Sequence, residues 1–132
     1  MTGIERFGDL ATLRVDAPQL EDVANIAQLP RLRDLLLSRV RWSTLSALPS
    51  STVVALRQLF LHDMPNLADI SALRAATSLR RLSLLNAVSL ASIQPLAGLP
   101  SLQRLDLWER TVVRDGDVAA LLECPALSFV NA

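Results

Sequence analysis

The chain has 132 residues, of which 51% are hydrophobic and 20% are charged, and its 13 basic residues balance 13 acidic ones. This length suits about one domain, and a formal charge of zero argues against nucleic acid as the partner. No apolar stretch approaches the roughly 20 residues of a membrane span, and the first nine residues lack the apolar segment of a secretory signal.

A leucine motif recurs along the whole chain. Its leucines are spaced by three and then by two, as in Leu79, Leu82 and Leu84. Successive copies begin at nearly regular intervals, at Leu10, Leu32, Leu56, Leu79, Leu102 and Leu127. Each x-L-x-L-x segment predicts a short strand, because alternation with period two places both leucines on one face. Stacked copies would make these strands parallel neighbours, about 4.8 Å apart.

The segments between the strands have a different period. Their apolar residues are spaced by three, which fits a 3₁₀ turn or a very short helix. The residues concerned are Ile4, Phe7, Val23, Ile26, Leu29, Leu67, Ile70, Leu73, Leu90, Ile93, Leu96 and Leu99. Proline at positions 30, 49, 95 and 100 argues against long helices here. For the last interval the sequence predicts an α-helix over residues 118–123, with Asp117 as its N-cap.

A period of roughly 20–29 residues built on L-x-x-L-x-L resembles the leucine-rich repeat family, and in particular its short bacterial, internalin-like class. The resemblance implies one leucine-rich repeat domain over residues 1–132, with five to six repeats and incomplete caps at both ends. Its expected fold is an α/β solenoid, with a parallel sheet on the concave face and short helical or 3₁₀ turns on the convex face. The family usually has asparagine three residues after the last strand leucine, whereas this chain has Pro18, Val40, Met64, Ala87 and Arg110.

Few residue combinations in the sequence are typical of catalysis or of ligand chemistry. The single cysteine, Cys124, and the single histidine, His62, lie about two and a half repeats apart, so we expect no thiolate–imidazole pair. They are also too few for a metal site, and no glycine-rich phosphate-binding loop is present. Asp115 and Asp117 are interpreted as caps rather than calcium ligands. The sequence therefore predicts no enzyme and no cofactor.

The strand residues between the leucines should point outward on the concave sheet. Four of them are apolar and lie on successive strands, and contiguous apolar residues at a surface indicate an interaction site. The predicted partner-binding residues are Leu36, Phe60, His62, Arg81, Leu85, Arg104, Asp106 and Trp108. An alternative is that neighbouring loops cover the apolar residues. Arg81 and Arg104 should be neighbours, so we expect either internal pairing with Asp106 or an anionic partner.

These observations predict recognition of a protein or peptide partner by the concave face, without nucleic acid or membrane binding. The alternative is a recognition region of a larger bacterial protein, such as an NTPase-type defence protein or an effector. The lone cysteine suits a reducing, cytoplasmic location, and the absence of lysine is typical of a GC-rich bacterial genome. The C-terminal strand should have an exposed edge, so self-association through it is also expected.

Overall fold

The fold is built on a parallel sheet whose six strands follow one another in chain order. The computed structural model describes residues 10–19 and 28–131. Its strands are β1 (Thr12–Asp16), β2 (Asp34–Ser38), β3 (Gln58–His62), β4 (Arg81–Leu85), β5 (Arg104–Trp108) and β6 (Phe129–Asn131). Each contains the x-L-x-L-x segment of one repeat or its β6 equivalent, so the predicted strands are confirmed.

The register of the sheet aligns the repeat leucines in rows. Leu35 lies opposite Leu59, which lies opposite Leu82, which in turn lies opposite Leu105. All four side chains are fully buried, and burying a leucine contributes about 1.5–3 kcal/mol. This row forms the sheet side of the core, and the predicted inward orientation of Leu82 and Leu105 is confirmed.

Short helical segments form the other side of the core. They include an α-helix, Ser50–Ala55, and the 3₁₀ helices Ser71–Ala75, Gln94–Leu96 and Ala119–Glu123. The period-three residues that the structure describes are buried, which confirms the predicted convex layer. The α-helix after Pro49 has six residues, which agrees with the predicted 3₁₀ turn or very short helix, and it buries Thr52 and Val53. The predictions for Ile4, Phe7, Val23 and Ile26 lie outside the described residues.

The predicted α-helix over residues 118–123 is wrong, because residues 119–123 form a 3₁₀ helix. Backbone hydrogen bonds join both ends of this interval to the preceding repeat. The Arg114 N–H donates to the Leu90 carbonyl at 2.8 Å, and the Ser128 N–H donates to the Gln103 carbonyl at 2.9 Å. A 3₁₀ helix rises about 2.0 Å per residue against about 1.5 Å for an α-helix, so the same residues span more length.

The side chains of this segment also differ from the predicted apolar face. Val118 and Leu122 are exposed, whereas the small Ala120 is buried. Asp117 accepts the Ala119 N–H at 2.9 Å, so its carboxylate caps a turn rather than an α-helix.

The turns after the strands replace the family's asparagine with apolar residues. Val40, Met64 and Ala87 occupy that position and are fully buried. In the turn after β5, a threonine provides a polar link instead. The Thr111 hydroxyl accepts the Ala87 N–H at 3.2 Å and donates to the Leu84 carbonyl at 3.1 Å. One hydroxyl therefore joins two backbone groups of the neighbouring repeat.

Within residues 10–19 and 28–131, every helix is too short and insufficiently apolar to traverse a lipid bilayer.

Candidate functional site: the concave face of the sheet

The register places the eight predicted partner-binding residues in three adjacent columns of the concave face. In the first column Arg81 lies opposite Arg104, and in the middle column Ser83 lies opposite Asp106. The remaining predicted residues complete the middle and last columns: Leu36 and Phe60 in the middle, and His62, Leu85 and Trp108 in the last. Parallel pairing without a bulge keeps these columns aligned, so residues from four repeats form one surface.

An open, largely apolar depression of about 310 Å³ lies on strands β3 to β5 of this face. Its lining residues are Phe60, His62, Arg81, Ser83, Leu85, Trp108 and Glu109. Trp108 is 41% exposed, whereas the side chains of Phe60, His62 and Leu85 are half-buried. Ser83 is nearly fully buried, and its small side chain leaves the space that the larger residues surround.

The Phe60 ring of the depression contacts two neighbouring side chains. Phe60 and His62 pack edge to face, with ring centroids 6.0 Å apart and an interplanar angle of 76°. The Arg81 guanidinium carbon lies 5.2 Å from the Phe60 centroid, within the range of a cation–π interaction. These contacts restrict the Phe60 ring before any partner binds.

Asp106 lies beneath this surface and does not face a partner. Its side chain is fully buried and accepts hydrogen bonds from two arginines. Arg104 Nε lies 2.9 Å from Oδ2, and Arg81 Nη2 and Nε each lie 3.2 Å from the same oxygen. The predicted internal pairing is confirmed: one carboxylate separates two guanidinium groups that would otherwise repel.

Phe129, which the predicted set of binding residues omits, packs against one of these two arginines. The Arg104 guanidinium lies 4.5 Å from the Phe129 ring centroid, and β5 and β6 place these two residues opposite each other. The sequence signal for Phe129 is its place in the first column, directly after the two arginines.

Leu36 is the one apolar member of the predicted set that lies apart from the depression. It is half-buried and pairs in register with Phe60 on the β2 side, whereas the depression extends from Phe60 toward β5. The apolar strip therefore runs from Leu36 through Phe60 to the depression. Of these outward apolar residues, Leu36, Phe60 and Leu85 are half-buried and Trp108 is exposed.

The electrostatics of the depression favour a neutral histidine. Partial burial holds the pKa of His62 below its usual value, and Arg14 acts in the same direction. The Asp63 carboxylate opposes this lowering of the pKa. A neutral imidazole adds no charge of its own beside Phe60 near pH 7.

A second depression, of about 490 Å³, lies at the rim where the strands end. It is lined by Asp63, Asn86 and Glu109, among others, and these three have positive φ of 53°, 58° and 53°. Asn86 Nδ2 donates to Asp63 Oδ1 at 2.7 Å. In the part of the chain that the structure describes, no three histidine, cysteine, aspartate or glutamate residues are grouped to hold a metal ion.

The residues weighed as chemical candidates have structural contacts. The Cys124 thiol is buried and donates to the Leu96 carbonyl at 3.1 Å, as expected for an inert thiol. Asp115 accepts the Asp117 N–H at 2.9 Å, which lowers the pKa of Asp115, as does a hydrogen bond from Ser92. Asp115 and Asp117 therefore each accept a backbone N–H two residues on, in turns, and the predicted N-cap of an α-helix at Asp117 is wrong.

Comparison with known proteins supports the fold. No protein-family model matches the chain, and no curated protein matches it. A solved structure of an internalin (inlF) from Listeria monocytogenes matches with a TM-score of 0.70 and 24% sequence identity, over 96% of this chain and 36% of the internalin chain. The chain therefore has a leucine-rich repeat fold, as predicted, and spans about a third of the internalin's length.

Proposed function

We propose that the chain is a leucine-rich repeat module that recognises a protein or peptide through its concave face, without catalysis. The observation that carries this proposal is the exposed Trp108 beside the half-buried Phe60, His62 and Leu85. Tryptophan is enriched among the residues that dominate binding energy. A preformed apolar depression in which neighbours restrict the Phe60 ring lowers the entropic cost of binding.

The form of the fold supports this proposal. Solenoids of stacked repeats have extended concave surfaces that bind partners, and the internalin neighbour has such a fold. The zero formal charge supports a protein rather than nucleic acid. We propose a cytoplasmic location, which suits a chain whose single cysteine gives it no internal disulfide framework.

A second candidate is that these repeats are the recognition region of a larger protein. The chain spans 36% of the internalin chain that it matches, so a longer protein could contain a solenoid of this size as one part. The reading frame of the gene on both sides of these residues distinguishes the two candidates. A further domain encoded in the same frame would favour the second candidate.

A peptide-display selection on the immobilised protein tests the recognition function. Selected peptides should bind wild type, and Trp108→Ala should weaken them by more than about 2 kcal/mol, as truncation of a dominant interface residue does. Leu122→Ala is the matched control, because Leu122 is 90% exposed outside the concave sheet. Selected peptides that bind wild type and Trp108→Ala equally, or no selectable peptide, would contradict the proposal.

Trp108 also reports binding directly. In a Trp42→Phe background its fluorescence should be red-shifted and quenched by iodide in the free protein, because its side chain is exposed. Bound peptide should shift the emission to the blue and protect it from iodide. An emission that is blue-shifted and protected already in the free protein would show that the indole is unavailable.

A further inference from the structure

Two aromatic rings of the concave face are each covered by an arginine from the neighbouring strand. The Arg81 guanidinium carbon lies 5.2 Å from the Phe60 ring centroid, across the pairing of β3 with β4. The Arg104 guanidinium carbon lies 4.5 Å from the Phe129 centroid, across the pairing of β5 with β6. Both separations are within about 6 Å, the range of a cation–π interaction. The same contact therefore occurs on two pairs of neighbouring strands.

The Trp108 ring lacks such a cover. Among the described residues, no other ring, cation or side-chain hydrogen-bond partner contacts its indole, and the residue is 41% exposed. Indole attracts a cation more strongly than the other aromatic side chains do. Trp108 lines the depression together with Leu85 and Glu109. A cation brought by a partner would make at this ring the contact that Phe60 and Phe129 make within the chain.

Glu109 provides an acceptor next to the open ring. It follows Trp108 in the chain and lines both the concave depression and the rim depression, so the two depressions adjoin at this residue. Glu109 is exposed, and within residues 10–19 and 28–131 its carboxylate has neither an ion pair nor a hydrogen bond. Hydrogen bonds from a cationic donor to a carboxylate are roughly twice as strong as those between neutral groups.

The positive charge of the concave face is centred at the opposite end of the strands. Arg81 and Arg104 begin β4 and β5 and share the buried carboxylate of Asp106, so these three residues carry one net positive charge. Arg104 lies four residues before Trp108, which corresponds to about 13 Å along the strand. The acidic Asp34 is also remote, because β2 is three strands from β5, or about 14 Å across the sheet. These backbone separations exceed the screening length of about 8–10 Å in physiological salt.

The rim at the strand ends carries an excess of negative charge. The charged residues that line its depression are Asp63, Glu109 and Arg110, which together have one net negative charge. Asp63 Oδ1 already accepts Asn86 Nδ2 at 2.7 Å, whereas no described residue is a partner of the Glu109 carboxylate. Arg39, at the β2 end of the rim, is paired with Asp16 at 2.6 Å. A cation is therefore favoured at this end of the face, with Glu109 as its acceptor.

We propose that the partner of the concave face inserts an arginine side chain into the depression, with its guanidinium stacked on Trp108 and hydrogen-bonded to Glu109. This inference rests on the proposed function and adds the chemistry of the partner. A planar guanidinium stacks on aromatic rings and pairs with a carboxylate through two parallel N–H donors, and its aliphatic stem packs on apolar surface such as that of Leu85. The open Trp108 ring and the unpaired Glu109 carboxylate together select this occupant.

The test compares three peptide libraries that are displayed on phage and selected on the immobilised full chain. Their peptides have a fixed central residue, which is arginine, leucine or glutamate, between random flanking residues, and the arginine library should be enriched most strongly. In synthetic copies of the selected peptides, citrulline in place of the central arginine keeps the shape of the side chain and removes its charge. This change should weaken binding about three- to thirtyfold, which corresponds to one exposed cation–π contact and one exposed ion pair.

Variants of the chain locate the arginine. Glu109→Gln and Trp108→Leu should each reduce the difference in affinity between the arginine and citrulline peptides, because each variant removes one of the two contacts. Glu109→Arg should move the enrichment to the glutamate library. Glu123→Gln is the matched control, because Glu123 is exposed in the 3₁₀ helix Ala119–Glu123 on the convex side, and it should leave the difference unchanged.

The outcomes separate this inference from the proposed function. If Trp108→Ala weakens peptides from all three libraries alike, or if citrulline binds as well as arginine, the arginine partner is wrong while concave recognition stands. Strongest enrichment of the glutamate library would also overturn it, as would a difference between arginine and citrulline that neither Glu109→Gln nor Trp108→Leu reduces. If no library yields a peptide that Trp108→Ala weakens, the proposed function fails and the arginine contact fails with it.

Discussion

The buried Asp106 carboxylate offers a sharp test of how the concave face is held together. Replacing Asp106 by alanine removes the carboxylate that accepts hydrogen bonds from both Arg81 and Arg104. The two guanidinium groups would then lie on adjacent strands without a counter-ion. Repulsion between unit charges about 5 Å apart is about 1 kcal/mol even in water.

The expected loss of stability follows from how deeply the carboxylate and the two guanidinium groups are buried. Removing one partner of a fully buried pair costs about 3–5 kcal/mol, because the other charge is left unpaired in the interior. Here the carboxylate is 0% exposed, but the arginine side chains are 35% and 40% exposed and regain water when they are released. We therefore expect Asp106→Ala to lower the free energy of unfolding by about 2–3 kcal/mol, less than for a fully buried pair.

Urea unfolding followed by circular dichroism measures this change. Asp34→Ala is the control, because Asp34 also lies on the concave face and, among the described residues, its side chain accepts only the Thr12 hydroxyl at 3.3 Å. It should cost less than about 1 kcal/mol. Adding Arg104→Gln to Asp106→Ala should restore part of the lost stability, since it removes the repulsion. The reasoning would be refuted if Asp106→Ala cost no more than an ordinary surface substitution, about 0.5 kcal/mol, or if the double variant recovered nothing.

Three further predictions concern the core, the pH dependence and the sheet edge. Leu82→Ala should cost about 2–5 kcal/mol and broaden the urea transition, because each repeat packs only on its neighbours; a midpoint equal to that of wild type would contradict the register. Burial lowers the pKa of His62 in the folded state, so on acidification the unfolded chain binds a proton at His62 before the folded chain does. The contribution of neutral His62 to the free energy of unfolding is therefore present above about pH 6.5 and is lost as the pH falls below that value. The urea midpoint of wild type should therefore drop more between pH 7.5 and 5.5 than that of His62→Gln, and equal drops would remove His62 as the cause. The exposed Phe129 and Val130 on the end strand β6 should drive self-association, seen as concentration-dependent light scattering that Phe129→Lys weakens; a strict monomer with slow amide exchange at Val130 would show a protected edge.

The sequence by itself determined the strands, their order and their register. Leucines spaced by three and two must alternate along a strand, and copies at nearly regular intervals must stack, because no single repeat can bury its own apolar face. Leu82 and Leu105 lie where this rule places them. The same rule selects the outward columns, so the members of the candidate site, from Phe60 to Trp108, follow from numbering alone.

Only the tertiary structure decided which outward residues are accessible and how they pair. Asp106 has the same sequence position in its repeat as Phe60, yet it is fully buried, because arginines from two different repeats converge on it. The 3₁₀ form of residues 119–123 likewise depends on backbone bonds to the preceding repeat, which fix the span that the segment must cover. Periodicity describes one repeat at a time, whereas burial of a charge and the length of a connection depend on neighbouring repeats that the local pattern does not contain.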